Sequence, residues 1–430
     1  MSTPTNRVIS GMRPTGRLHI GHYFGALQNW VKLQSDPNYE CFYFVADWHA
    51  LTSDYADTSA IAENSLQITI DFLASGLDPA KSTIFLQSQV PEHAELHLLL
   101  SMITPLGELE RIPTYKEALE NITDKDLHTY GFLGYPTLQT ADIVMYSQPG
   151  KGLLVPVGED QVSHVEFSRQ IVSRFNFFYG LSLDYSIFDP KNEIHLRALY
   201  DRASDELVEK ESWEGRKFVE HFDAVLRKVA LENATRRVAQ KAGVKNFQEE
   251  LGPEGRFFTF TQVLTEPGHL LTPTPRIPGL DGRKMSKSYN NAITLSESDD
   301  DIRKKTKVMV TDPARKRRTD PGNPDICPVY DWHKLFSTPE RDPGRLDWVR
   351  TGCTTAGIGC IECKSAMAEN LIKWIAPVRE KRLAYETHPQ KALEILDAGS
   401  AKARKSAQQT MDRVRTAIFN WPRKRAEISG

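Results

Sequence analysis

Apolar and polar positions alternate in blocks along the first ninety residues. A short β-branched run, Arg7-Val8-Ile9-Ser10, gives way to a polar, glycine-bearing stretch from Gly11 to His22. Ile20, Phe24, Leu27 and Val31 then recur at the spacing of one helix face. This pattern predicts a strand, a turn and a helix start. Glu40-Cys41-Phe42-Tyr43-Phe44-Val45-Ala46-Asp47 is a nearly continuous apolar run after a Pro/Asn turn, as in a strand buried on both faces, and it leads into Trp48-His49-Ala50-Leu51-Thr52 at the expected carboxyl edge. A helix from about Ser59 to Ser75, a stop at Gly76-Leu77-Asp78-Pro79 and a third strand over Ser82-Thr83-Ile84-Phe85-Leu86-Gln87 continue the alternation. The fold class that follows is α/β, with a doubly wound, Rossmann-type parallel sheet.

Gly134 to Tyr146 predicts a helix with Leu138, Asp142 and Met145 on one face, and an acid on an apolar face must be paired or must bind something. Val155 to Gln161 is a strand running into a helix start, its acids suited to capping or to ribose hydroxyls. Between Asp189 and about Leu271, Phe218, Phe222, Val225, Leu226 and Val229 mark an apolar helical stripe. From Ala366 onward the pattern is helical in three stretches: Leu371 to Leu383, Ala392 to Leu396, and Val414 to Trp421. The expected division is a Rossmann catalytic domain over 1–190, a helical insertion over 191–270, a catalytic return over 271–298 and a C-terminal all-α domain over 299–430.

The 430 residues carry a formal net charge of -2, so the whole chain advertises no polyanionic partner. Charge distribution changes that picture. Ile302 to Arg318 holds eight Lys or Arg against one acid, and Lys402 to Arg425 again eight against one. Such runs suit either solvated helix faces or a nucleic-acid backbone. No apolar run approaches the ~20 residues of a membrane span, and no signal segment opens the chain, so a cytoplasmic location is expected and no membrane partner. Cys41 falls inside a strand and is expected in the core. Cys327, Cys353, Cys360 and Cys363 form a C-x25-C-x6-C-x2-C array with Gly352, Gly357 and Gly359 among them. Four thiolates of this kind fit tetrahedral zinc or an iron–sulfur cluster, and the odd total speaks against a disulfide framework.

Two segments carry the candidate chemistry. In Gly11 to His22 the unpaired N–H groups of a helix start and the nearby glycines suit a polyphosphate. His19 and His22 share a face as donors, and Gly21 would leave a flat gap over which an adenine could lie. Far downstream, Asp281-Gly282-Arg283-Lys284-Met285-Ser286-Lys287-Ser288 is a polar loop with a glycine hinge, whose lysines can close over a pyrophosphate. His19-Ile20-Gly21-His22 and Lys284-Met285-Ser286-Lys287-Ser288, in this order and separation, resemble the two signatures of class I aminoacyl-tRNA synthetases. The blocks Gly107 to Glu117, Tyr135 to Ile143 and Val155 to Gln161 resemble those of bacterial tryptophanyl-tRNA synthetases. The cysteine spacing is similar to that of a subgroup carrying a four-iron four-sulfur cluster near the anticodon-binding region.

This resemblance implies ATP- and Mg2+-dependent attachment of L-tryptophan to tRNA(Trp) through an adenylate, in a homodimer whose C-terminal helices read the anticodon. It implies catalytic roles for His19, His22, Lys284 and Lys287. ATP contacts are implied at Arg13, Pro14, Thr15, Gly21, His22, Gly158, Glu159, Asp160, Ile277 and Lys284 to Ser288. Asp142 is implied as acceptor of the indole N–H, with Ile9, Gln139, Tyr135, Gln161 and His49 as further substrate positions. An indole offers one donor and no acceptor, so a buried carboxylate suits it. Ile9 stands where tyrosyl enzymes of this layout carry a tyrosine, whereas Gln139 also suits a phenol. A tyrosyl-tRNA synthetase and a non-charging tryptophan or RNA sensor are the alternatives.

Overall fold

A computed structural model describes residues 5–121, 125–199, 251–271 and 277–429, together with 201, 231, 233, 234 and 237. Its strands are β1 (Asn6–Met12), β2 (Tyr39–Val45), β3 (Ser82–Leu86), β4 (Gly152–Val157), β5 (Leu181–Leu183), β6 (Phe258–Phe260) and β7 (Pro267–Leu271). Five of them form one sheet in the order β3-β2-β1-β4-β7, while β5 and β6 pair separately. β1 and β2 run parallel with Val8 opposite Cys41, and β2 and β3 run parallel with Cys41 opposite Ser82. The unbroken apolar runs are explained by burial on both faces: Val8, Ile9, Phe42, Tyr43, Val45, Ile84 and Phe85 are at most 1% exposed. Cys41 is core, as expected, and burial pushes its thiol up to about 11. The strand order reverses between β1 and β4. In open α/β sheets ligands bind at such a reversal, outside the carboxyl ends of the strands.

The chain divides into two compact units. The first comprises 1–90, 156–162 and 269–403, and contains the turn after β1, the turn after β4 and the Lys284–Ser288 loop. Its core is aromatic around the signature helix: Phe24 stacks on Trp374 at 5.2 Å between ring centroids, and Tyr23 meets the same indole edge-on at 4.9 Å. The second comprises 91–155, 163–268 and 404–430. There the helix Tyr130–Val144 starts at Thr129, whose hydroxyl accepts the Phe132 N–H at 3.1 Å. Buried Asn176 fastens its neighbour segment by accepting the N–H groups of Val263 and Leu264 at 3.0 and 2.9 Å. The expected stripe from Phe218 to Val229 lies outside the described residues.

Helices Cys360–Glu386, Pro389–Phe419 and Trp421–Ser429 form the C-terminal part. The expected stretches at 392–396 and 414–421 prove to be mostly one 31-residue helix, broken only where Asn420 turns to φ 46°. The basic runs are partly consumed inside the protein. Arg404 pairs with Glu92 at 3.0 Å, Arg415 with Glu95 at 2.5 Å and Arg303 with Glu369 at 2.7 Å, and Arg413 donates to the Ser147 carbonyl at 2.6 Å. They are therefore not uniform phosphate-facing surfaces. Among the described residues, no helix is long and apolar enough to cross a membrane.

Candidate active site

The turn after β1 is set by Gly16, whose φ of +100° is a backbone position that side chains disfavour. His19 caps the helix that follows. Its N–H donates to His22 Nδ1 at 3.2 Å, so the His22 ring proton sits on Nε2. The two imidazoles lie 3.7 Å apart, sharing one face as the spacing predicts. Residues Ile20–His22 are α-helical, Tyr23–Leu27 widen into a π-helical turn and Gln28–Leu33 resume the α-helix. π-turns of this kind recur at functional sites.

Burial, then the Lys287 ammonium, lowers His19 to about 4, and burial, then His19 and Lys287, holds His22 well below its ordinary value, so both imidazoles are held toward the neutral form, which still offers an N–H. One expectation needs correction: the face of Gly21 is not an open gap, since a Cβ there would meet the His19 ring at 2.9 Å and the Met285 sulfur at 3.4 Å.

The Lys284–Ser288 loop hinges at Gly282, φ +79°. Asn291, 2% exposed, organises it: its Oδ1 accepts the Ser286 N–H at 2.8 Å, and its Nδ2 donates to Asp281 at 2.7 Å and to the Lys284 carbonyl at 3.1 Å. Gly279 leaves room for it, since a Cβ would stand 2.3 Å from the Asn291 amide. The Lys287 ammonium donates to the Thr15 carbonyl at 3.1 Å, which brings the two signature segments together. Burial lowers the Lys287 pKa, and the Asp71 carboxylate pulls it back up. Lys284 is exposed and Met285 buried, while the Ser288 side chain lies outside the described residues.

Around these, Pro14 is buried, and the Arg13 guanidinium bonds the Ser53 hydroxyl and lies 3.9 Å from Asp54. Ile9 is fully buried in β1, His49 lies in the helix Asp47–Asp54, and Ile277 is 7% exposed. At the carboxyl end of β4, Gly158 caps the short helix Glu159–Gln161. Glu159 is exposed and Gln161 half-buried, and the Asp160 side chain lies outside the described residues.

In the second unit Asp142, 1% exposed, accepts from His93 Nδ1 at 2.6 Å, and His93 Nε2 meets the Tyr146 hydroxyl at 2.9 Å. The acid on the apolar face is thus paired. A carboxylate has about four acceptor sites, so one imidazole does not exhaust it. Tyr135 shares a hydrogen bond of 2.6 Å with Thr114, which reaches His164 Nε2 at 2.8 Å, and Gln139 is half-buried nearby on the same helix. Sequence reasoning missed His93 and Asn291, because neither stands in a motif. The only hint of Asn291 is its place just past the lysine loop.

Cys327 caps the helix Pro328–Phe336, Cys353 lies in the helix Arg345–Thr354, and Cys360 and Cys363 share the first turn of Cys360–Glu386. Among the described residues no three His, Cys, Asp or Glu side chains converge closely enough to hold a metal. Cys363 is pushed up to about 12, first by burial and then by Cys327, Cys353 and Cys360, so the four thiols share one electrostatic neighbourhood. Arg315 stands 3.8 Å from the Cys353 sulfur, and a Cβ on Gly322 would fall 2.7 Å from it.

Comparison with known proteins places these features in context. The family described as tRNA synthetases class I (W and Y) matches residues 1–200 and 233–376. The tryptophan–tRNA ligase of Ralstonia nicotianae is 44% identical over 417 residues, 96% of this chain and 98% of that protein. That of Thermotoga maritima is 42% identical over 412 residues, again 96% and 98%. The crystal structure of Campylobacter jejuni tryptophanyl-tRNA synthetase complexed with ADP and tryptophan superposes with a TM-score of 0.67 at 28% identity, covering 96% of this chain and 99% of that one.

Proposed function

The chain belongs to the tryptophanyl-tRNA synthetases of class I, and from that premise we propose how its residues divide the work of charging tRNA(Trp) with tryptophan. The substrate carboxylate attacks the α-phosphorus of ATP, pyrophosphate leaves, and the adenylate then esterifies the terminal ribose of the tRNA. No side-chain nucleophile is needed, so positioning and electrostatics carry the rate. The observation that carries this reading is the Lys287–Thr15 contact beside the paired imidazoles.

His19 and His22 donate N–H groups to the phosphates, and Lys284 and Lys287 supply the positive charge. Arg13, Pro14, Thr15, Gly21, Gly158, Glu159, Asp160, Ile277, Met285, Ser286 and Ser288 line the ATP. Mg2+ travels with the phosphates and neutralises them. Asp142, oriented by His93, accepts the indole N–H, and Ile9, Gln139, Tyr135, Gln161 and His49 shape the rest of the amino-acid site. The working assembly is a cytoplasmic homodimer, with the four-part division at 190, 270 and 298 and the C-terminal helices as the anticodon-reading part.

Cys327, Cys353, Cys360 and Cys363 would hold a four-iron four-sulfur cluster when one is bound, its irons offsetting the charge of their thiolates. ATP–pyrophosphate exchange, with tryptophan or tyrosine supplied separately, tests the first part, and the absorption spectrum of the same freshly purified sample tests the second. Exchange with tryptophan alone and a brown protein absorbing near ~400 nm are expected. Exchange with tyrosine would overturn the Asp142 assignment, no exchange would favour a sensor, and a colourless protein carrying zinc would replace the cluster.

A further inference from the structure

The helix Ile61–Ala74 carries an aspartate, Asp71, with no exposed surface. A carboxylate so placed needs partners. One of its oxygens accepts the backbone N–H of Leu18, the residue before His19, at 2.7 Å. The other is held by the guanidinium of Arg382, itself 1% exposed, near the end of the helix Cys360–Glu386. The same end of that helix holds the ground on both sides. Arg382 also bonds Gln67 and lies 3.2 Å from Glu386, which reaches Arg17 at 3.3 Å, and Arg379 donates to the Glu297 carbonyl at 2.9 Å.

Leu18 and Ile20 are tied in turn to the segment after the lysine loop. Leu295 N–H donates to the Leu18 carbonyl at 2.8 Å and Ile20 N–H to the Ile293 carbonyl at 3.0 Å. The main chain that carries His19 therefore has anchors on two sides, and among the described residues the side-chain anchor on the Leu18 amide is Asp71.

Neither Asp71 nor Arg382 belongs to either signature. We infer that this buried pair is a positioning device for adenylation: Arg382 fixes Asp71, Asp71 fixes the Leu18 amide, and the amide sets where His19 and His22 meet the phosphates. The inference rests on the phosphate-donor role proposed for the two histidines. Stability alone is a poor reason for the pair, because apolar residues of similar volume commonly hold a buried site as well as two charges do. What an apolar pair cannot do is accept the Leu18 N–H.

That difference is the test. The double variant Asp71→Leu/Arg382→Met buries no lone charge but leaves the amide without its acceptor, and Arg382→Lys keeps the charge in a different geometry. In ATP–pyrophosphate exchange the double variant is expected to lose ~10-fold or more in kcat, as displaced reacting groups do. KM for tryptophan stays within about twofold, the thermal midpoint stays near wild type, and Arg382→Lys recovers part of the rate. A folded double variant with wild-type kcat overturns the inference. If the double variant does not fold, Arg382→Lys decides: a reduced kcat at unchanged tryptophan KM supports the positioning role, and a wild-type kcat overturns it. Wild-type protein that exchanges with neither amino acid would instead refute the functional reading, and this inference with it.

Discussion

Asp142→Asn is the sharpest probe of the amino-acid site. The substitution keeps the shape of a side chain that is 1% exposed, so no cavity opens. It also leaves the Tyr146–His93 relay satisfiable, because the amide can accept or donate toward His93 Nδ1, now 2.6 Å from the carboxylate, and the imidazole can change tautomer. What is lost is the charge on the proposed acceptor of the indole N–H. A hydrogen bond to a charged group contributes about 1.5–3 kcal/mol and one to a neutral group about 0.5–1.5, a difference of roughly 1–1.5 kcal/mol. At 1.36 kcal/mol per decade, kcat/KM for tryptophan should fall about 5- to 13-fold. The ATP contacts assigned here lie on other segments, so KM for ATP should hold within about twofold. Titrating tryptophan at saturating ATP in the exchange assay, with circular dichroism to verify folding, measures this directly. An Asn variant with wild-type kcat/KM for tryptophan would refute the carboxylate's role.

Lys287→Ala removes the ammonium that links the loop to Thr15. Exchange should drop ~100-fold, the scale of losing one preorganised charge-stabilising donor, and an adenylate rate equal to wild type would count against the loop. Asn291→Ala frees Ser286, Asp281 and Lys284 from a common anchor, so KM for ATP should rise severalfold while KM for tryptophan holds, read from paired titrations. Stability should also respond to acid through His19. Its pKa is 6.5 in the unfolded chain and about 4 when folded, so the unfolded state takes up a proton first as pH falls. Its contribution is whole above about pH 7 and is lost between 6.5 and about 4, amounting to about 3 kcal/mol. Urea midpoints at pH 7 and pH 5 should differ less in His19→Asn than in wild type.

The strands and the signature turn were legible because each obeys a local rule. Continuous apolar runs mark doubly covered strands, and β1, β2 and β3 pair in parallel, as the alternation of strand and helix implied. The lysine loop was legible from its hinge glycine, which does adopt positive φ. What escaped is what depends on distant partners. His93 is an ordinary residue of the helix Glu92–Ser101 until the fold sets it against Asp142, 49 positions away. Arg382 lies 311 positions from Asp71, and no spacing in the chain announces the pair. The basic runs left two readings open for the same reason, because the acids that pair with Arg404 and Arg415 sit in another helix, Glu92–Ser101. The lowered pKa values of the two imidazoles likewise come from the fold, first through burial and then through neighbouring charge.

That neutrality divides the electrostatic work in a particular way. Pyrophosphate must be held as it departs but must also be released, and a site that binds the ground state as tightly as the transition state gains nothing in turnover. Fixed cations at His19 and His22 would hold the polyphosphate before, during and after the reaction alike. On the proposed reading, neutral N–H donors on a fixed turn would instead define where the oxygens sit, at modest cost to release. The charge is then left to Lys284, exposed on the loop, and to Lys287, whose hold on that turn is one hydrogen bond to Thr15. The positive φ at Gly282 would suit a hinge by which, on that reading, charge arrives with closure and leaves with opening. On the proposed roles, the lowered imidazole pKa values would keep the permanent part of the site from retaining its product.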